Sequence, residues 1–273
     1  PTGMRTIVAD LIADGLIDIL VTTGATLTHD TIEAIGGAHH HGRPDPTAPH
    51  PTGDGHPDTA DRRAHDEQLR REGVDRIYNV YLPQEHFAAF ERHLRAEVFP
   101  HFDGPTDIAA VTARLGVANA AAAPDARTAG IAAAAATHDV PVYCPAIQDS
   151  VLGIQAWMYS QISDFTLDAL ADMTALSDRA FAAERAGAFV VGGGVPKNYT
   201  LQTMLTIPGA YDLGVQLTMD PEHTGGLSGA SLDEARSWGE LAPNARNATV
   251  LGDATITLPL VIAAARGRMT HNG

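Results

Sequence analysis

Apolar runs recur along the chain, and between them the apolar positions fall into helical spacing. The runs at 16–23 (LIDILVTT), 76–82 (RIYNVYL), 140–146 (VPVYCPA), 187–193 (GAFVVGG), 211–218 (YDLGVQLT) and 247–253 (NATVLGD) are short and nearly continuous. Such runs predict strands buried on both faces. Helical spacing predicts helices over MRTIVADLIADG, PQEHFAAFERHLRAEVF, TDIAAVTARLGVANAA, DSVLGIQAWMYSQI, TLDALADMTALSDRAFAAERAG and TITLPLVIAAARGRM. A first-turn Pro83 and a closing Gly187 mark two of their ends. The alanine-rich stretch 119–137 is expected to be helical with a break at Pro124. Strand–helix alternation predicts one α/β domain over residues 1–273, a doubly wound, mostly parallel sheet with helices on both faces. Ligands in that architecture sit beyond the carboxyl ends of the strands. The loops TTGAT, CPAIQDS, VVGGGVPK and LGDAT fall there and are expected to line one crevice.

Residues 36–66 break the rhythm: rich in Pro, Gly, His and Asp, they predict a long insertion loop. Its histidines (39, 40, 41, 50, 56 and 65) lack a paired-ligand scaffold such as HExxH, and no metal is expected. With 33 acidic against 18 basic residues, a net charge of −15 disfavours nucleic acid and suits a basic partner or a cationic small molecule. No apolar run reaches the roughly 20 residues of a membrane span. The single cysteine, Cys144, excludes an internal disulfide and fits a reducing cytoplasm.

Lys197 is the only lysine beside seventeen arginines, and it follows Gly192-Gly193-Gly194. The segment is no phosphate-binding P-loop, because Asn198 stands where Ser or Thr is needed, and GxGxxG is also absent. What remains is a strand ending in glycines and a helix entered through Val195-Pro196, a turn that lets backbone approach a ligand. Asp253, after another strand, suits either a helix cap or a ribose hydroxyl. Thr22, Thr23, His29, Asp30 and Asp149 offer polar groups at two further turns. Four polar turns at one sheet edge favour a cofactor crevice.

The segments VTTGATLTHDTIEAIGG, RIYNVYLPQEHFAAFE, VPVYCPAIQDSVLG, VVGGGVPKN, TGGLSGASLDEARSWG and VLGDATITLPLV resemble deoxyhypusine synthase in order and spacing, from Pro1 to about Ala265. The likeness is strongest to the archaeal form, especially that of salt-loving archaea. It implies a Rossmann-like NAD crevice and transfer of an aminobutyl group from a polyamine, spermidine or agmatine. The acceptor would be a lysine of the hypusine-bearing, 5A-type translation initiation factor. It also implies a cytoplasmic homotetramer. By resemblance, Thr23, Gly24, Ala25, His29, Asp149, Gly193, Met219, Asp220, Asp253 and Ala254 would contact NAD. Asn198, Gly225, Gly226, Leu227, Ser228, Gly229, Glu234 and Trp238 would line the polyamine pocket.

Three departures accompany the resemblance. The family's nucleophilic lysine follows Ser-Trp-Gly, and here Ser237-Trp238-Gly239 is followed by Glu240. A carboxylate forms no imine, so Lys197 is the one side-chain amine that could substitute. Asn198, Gln202, Ile154, Gln216, Leu227 and His29 replace groups usual in the family, which opens the choice of donor amine. Pro1 falls well inside the family's reading frame, as expected of a fragment. Two other functions stay open: a catalytically silent NAD-binding subunit, and a homospermidine synthase-like enzyme acting on free amines.

Overall fold

A computed structural model describes residues 4–41 and 59–271. Helix α1 (Arg5–Ala13) leads into β1 (Leu20–Val21), α2 (Gly24–Ala34) and β2 (His40–His41). Helix α3 (Thr59–Glu72) precedes β3 (Val74–Ile77), β4 (Val80–Pro83) and α4 (Gln84–His93). Then come β5 (Pro105–Asp107), α5 (Ile108–Ala122), α6 (Ala126–Thr137), β6 (Val142–Tyr143), α7 (Val151–Ser160), β7 (Thr166–Asp168) and α8 (Ala171–Ala182). The remainder is β8 (Gly187–Val191), α9 (Val195–Gln202), β9 (Tyr211–Thr218), the short α10 (Glu234–Ser237), β10 (Leu241–Leu251) and α11 (Ala254–His271).

Side-chain caps set where the helices start. Thr23 accepts from the Thr26 amide at α2, Asp107 from Ala110 at α5, and Ser150 from Gly153 at α7. Asp125 and Thr128 form a reciprocal capping box directly after Pro124, so the alanine-rich stretch divides where the proline predicts. Each such cap stabilises its helix by about 1 kcal/mol.

Parallel pairing dominates, as the strand–helix alternation predicts. β1 pairs with β6, β5 with β7, and β8, β9 and β10 form a sheet in the order β10-β9-β8. Several details differ from the sequence pattern. Residues 76–82 do not make one strand: Tyr78 adopts φ +56° and turns the chain into the antiparallel β3–β4 hairpin. The segment beginning TLD opens with β7 before α8 starts. Residues 40–41 pair with β4 and residues 59–66 are helical, so the insertion is shorter than its composition predicts. His50 and His56 lie outside the described residues. Burial on both faces also fails for β8, where Ala188 and Val190 are buried while Phe189 and Val191 are exposed.

Two apolar cores result. The larger gathers Leu27, Ile32, Phe90, Phe99, Leu115 and Leu152 between the helices of the N-terminal part. The smaller holds Leu201, Met204, Tyr211, Leu232 and Leu241 around β9. A buried carboxylate ties α1, α2 and α6 together. Asp30 accepts from Arg5 Nε (2.6 Å) and from the amides of Ile131 (2.8 Å) and Ala132 (2.9 Å). Gly130 makes this possible: its φ is +90°, and a Cβ there would stand 2.1 Å from Arg5 Nη2.

Asp172 supplies a second buried carboxylate, accepting from the Ala109 amide at the start of α5 (3.1 Å). Burial pushes its pKa up to about 6; the amide bonds from Ala109 and Ile108 oppose the rise, and the charges of Asp107 and Asp168 add to it. A carboxyl whose pKa is raised on folding stabilises the fold when protonated, and that contribution is lost as pH rises from about 4 through 6. Asp172→Asn is therefore expected to flatten the pH dependence of unfolding, removing roughly 2–3 kcal/mol of loss between pH 4 and 7.5. Urea unfolding of both proteins at several pH values checks this; parallel profiles would contradict it.

Candidate functional site

Strand β8 is followed by Gly192–Gly194, and α9 begins with Pro196 in its first turn, so Lys197 is delivered inward within one turn of the glycines. Its side chain is only 4% exposed. The ammonium donates to Ala230 O (2.5 Å), Leu227 O (3.2 Å) and Gln216 Oε1 (3.2 Å), using all three of its hydrogens. Gln216 Nε2 then donates to Ser228 O (2.9 Å), Thr218 Oγ1 donates to the same carbonyl (3.1 Å), and Ser228 Oγ donates to Asp220 Oδ2 (2.5 Å). The glycine turn seats on this loop: a Cβ at Gly193 would stand 2.2 Å from Ser228 Cα. Gly193, Lys197, Asp220, Leu227, Ser228 and Gly229 are thus gathered into one place, with exposed Met219, Gly225 and Gly226 at its edge. An open cavity of about 860 Å³ adjoins it, lined by Thr218, Asp220, Glu222, His223, Asp233 and Asn247 among others.

The segment Glu234–Glu240 approaches Lys197 from α10. Arg236 anchors it with every guanidinium hydrogen in use: Nε to Asp233, Nη1 to the carbonyls of Ala242 and Pro243, Nη2 to Ala245 O and Asn247 Oδ1. Beyond that anchor Trp238 is 65% exposed, a surface aromatic and not a core residue. Glu240 turns inward and is 7% exposed. Burial raises its pKa and Glu234 adds to the rise, while the charge on Lys197 opposes it. Burial likewise lowers the pKa of Lys197, against the pull of Glu234 and Glu240.

The other residues expected at the site lie at the ends of β1 and β6. Thr23 caps α2, Ala25 is exposed, and Gly24 packs so closely on Ser150 that a Cβ would stand 2.1 Å from its Oγ. Asp149 is exposed beside Ser150. Helix α9, carrying Lys197 and half-buried Asn198, packs on β1 and so joins the two groups of residues. Asp253 follows β10 and accepts from the amide and hydroxyl of Thr255, fixing the turn into Ala254. His29 lies one helical turn beyond Ala25 on α2, its ring bonded to His39. The pattern of residue types missed Arg236 and the His39–Glu33 pair; five acceptors around one guanidinium are distributed over fifteen residues, with no spacing to mark them. Among the described residues no group of His, Cys, Asp and Glu is arranged to hold a metal ion.

These residues suit a dinucleotide. Gly192 (φ +84°) and Gly194 (φ +87°) have no atom within 4 Å of where a Cβ would stand, so bare peptide faces open space beside a helix start. Fold and strand-end turns together define a protein of the parallel α/β class. A profile of the deoxyhypusine synthase family matches residues 1–265. A probable deoxyhypusine synthase of Methanosarcina thermophila is 47% identical over 270 residues, covering 99% of this chain and 78% of that protein. One from Methanothermobacter thermautotrophicus is 40% identical over 271 residues, covering 97% and 78%. The crystal structure of a deoxyhypusine synthase candidate from Entamoeba histolytica superposes with a TM-score of 0.61 at 15% identity, covering 96% of this chain and 70% of that one, a likeness of fold. The chain belongs to the deoxyhypusine synthase family, a family of transferases. No helix among the described residues is long and apolar enough to cross a membrane.

Replacing Lys197 by Met would leave Ala230 O, Leu227 O and Gln216 Oε1 without their donor, at about 1–3 kcal/mol for each acceptor that water does not reach. Lys197→Met is expected to lower the unfolding midpoint clearly. Lys197→Arg is not expected to restore it, because a planar guanidinium does not fit three converging acceptors. An unchanged melting curve for Lys197→Met would contradict the arrangement.

Proposed function

We propose that this chain binds NAD and a polyamine in the crevice and passes an aminobutyl group to a lysine of the hypusine-bearing, 5A-type translation factor without an enzyme-bound intermediate. The observation that carries this is the ordered loop Gly225–Ala230, held by Lys197, next to the carboxylates Glu234 and Glu240. NAD, when bound, supplies the acceptor and later the donor of a hydride. Thr23, Gly24, Ala25, Asp149, Gly193, Met219, Asp220, Asp253 and Ala254 are the residues that would hold it, with His29 nearby on α2. Glu234 and Glu240 would hold the cationic donor, spermidine or agmatine, and Trp238 offers an exposed aromatic wall for its methylenes and charge. An acidic surface favours encounter with a basic acceptor loop.

Among the described residues no side-chain amine is poised to carry the group. Glu240 is a carboxylate, and the Lys197 amine is enclosed by three acceptors. Attack therefore falls to the acceptor's own amine on the imine carbon of the oxidised donor; the donor's old C–N bond breaks to release 1,3-diaminopropane from spermidine or guanidine from agmatine, and the new imine would be reduced by the hydride that the cofactor took up. A second reading, a silent NAD-binding subunit of an intact paralogue, is favoured by the same two residues: Glu240 and Lys197 lie close enough to offset each other's charge. Assembly as a homotetramer belongs to either reading.

Incubation with NAD, precursor factor and spermidine or agmatine, followed by intact mass, separates them. Direct transfer predicts one added aminobutyl group on the acceptor and none trapped on this chain by borohydride. The Glu240→Lys variant is expected to show a borohydride-trapped adduct on itself. A wild-type chain that never modifies the acceptor, beside an active Glu240→Lys variant, would overturn direct transfer and leave the silent subunit.

A further inference from the structure

Strand β10 breaks its pairing with β9 almost as soon as it begins. Leu241 stands opposite Tyr211 and Arg246 opposite Leu213, so residues 242–245 face the single residue 212. Such a bulge takes backbone groups out of the ladder, and Pro243 has no N–H to offer one. One side chain takes up three of the carbonyls. Arg236 Nη1 donates to Ala242 O (2.7 Å) and Pro243 O (3.0 Å), and Nη2 donates to Ala245 O (2.8 Å). Nη2 also donates to Asn247 Oδ1 (2.7 Å), beyond the bulge, and Nε donates to Asp233 Oδ1 (3.1 Å). Asn247 Nδ2 donates to that same carboxylate oxygen (3.1 Å), closing a triangle of side chains.

The backbone of Arg236 belongs to α10, which at four residues is too short to hold itself. Gly239, at φ +79°, closes the turn. Its amide donates to Arg236 O (3.1 Å) and the Glu240 amide donates to Ala235 O (3.0 Å), the paired bonds of a glycine-terminated helix. Leu232 and Ala235 are buried beneath. The turn sends nearby side chains opposite ways, Trp238 out to solvent and Glu240 inward. A largely exposed indole adds little to the core, so folding gains little by holding it still. The charge of Arg236 is matched by Asp233, whose pKa its hydrogen bond holds down. What the five bonds supply is therefore geometry, a fixed link between the turn and the strand.

We propose that Arg236 is a positioning residue for the donor amine. By tying the bulge of β10 to α10 it holds Glu234 and Trp238 in place before the cation arrives, so binding does not have to order them. The inference rests on the reading in which Glu234 and Trp238 receive a polyamine. Asp220 and Ser228 are held separately, through Thr218 and Gln216, so the cofactor contact proposed at Asp220 does not depend on Arg236.

Calorimetric titration with spermidine, agmatine and NAD tests this, beside time-resolved fluorescence anisotropy of Trp238. Trp157→Phe in every protein leaves Trp238 as the only tryptophan. Arg236→Lys keeps the charge but not the planar fork, and the three hydrogens of an ammonium cannot serve five bonds. It is expected to weaken amine binding about ten-fold, the scale of ordering two side chains, and to hold NAD affinity within about two-fold. Fast motion of the indole is expected to increase. Asn247→Ala removes one acceptor at a half-buried position and keeps four, so it decides the matter should Arg236→Lys not fold. A loss of about two- to three-fold, confined to the amine, is expected of it. Unchanged amine affinity in a folded variant overturns the proposal, whatever the indole does. An equal loss of NAD and amine also overturns it, as the mark of general loosening. A wild-type chain that binds neither amine overturns the polyamine reading and the positioning role with it; faster indole motion in Arg236→Lys then marks Arg236 as a support of the turn alone.

Discussion

The ammonium of Lys197 is the contact on which the arrangement of the crevice rests. It enters from α9 and bonds to β9 through Gln216 and to the loop at Leu227 and Ala230. Hydrogen bonds to a charged donor contribute about 1.5–3 kcal/mol each, yet burying the charge costs several kcal/mol. The net stabilisation is therefore modest. The asymmetry matters more: without the donor, three acceptors that were arranged for it lose their partner together. Gln216, Thr218, Ser228 and Asp220 are bonded to the same loop, so its position passes to the strand ends where a cofactor would lie.

Glu240 makes sense beside such a cation. A buried carboxylate next to Lys197 offsets charge at short range, and both groups titrate away from their ordinary values chiefly because of burial. A lysine at 240 would meet the opposite condition. A like charge would disfavour its protonated form, as a nucleophilic amine requires. The same pocket thus favours a neutral amine at 240 when lysine is present, and when glutamate is, the charge on Lys197 opposes the rise that burial causes in its pKa.

Much of this was legible in residue order. The parallel α/β class followed from strand–helix alternation; Pro124 and the Thr23 and Asp149 turns mark boundaries that side-chain caps confirm, and α9 starts at Val195-Pro196 without one. The hairpin at Tyr78 was not legible: the run RIYNVYL is as apolar as a buried strand, and a positive φ at a tyrosine leaves no trace in composition. Neither was the one-sided burial of β8, since Phe189 and Val191 are apolar whether covered or not. At the site, the glycine turn stood out by type and spacing, and Glu240 only through the family resemblance. The ring-to-ring contact of His29 and His39 depends on a helix turn and a glycine return that bring distant atoms together, and a histidine-rich loop hides it.

Because Lys197 is the only lysine, its accessibility can be read without ambiguity. Reductive methylation of the native protein with formaldehyde and cyanoborohydride, followed by peptide mass analysis, is the most direct measurement. With the ammonium enclosed by three acceptors, Lys197 stays unmodified in the folded chain and becomes methylated once urea unfolds it. Rapid methylation of Lys197 in the native protein would contradict the account and return that amine to the list of nucleophiles.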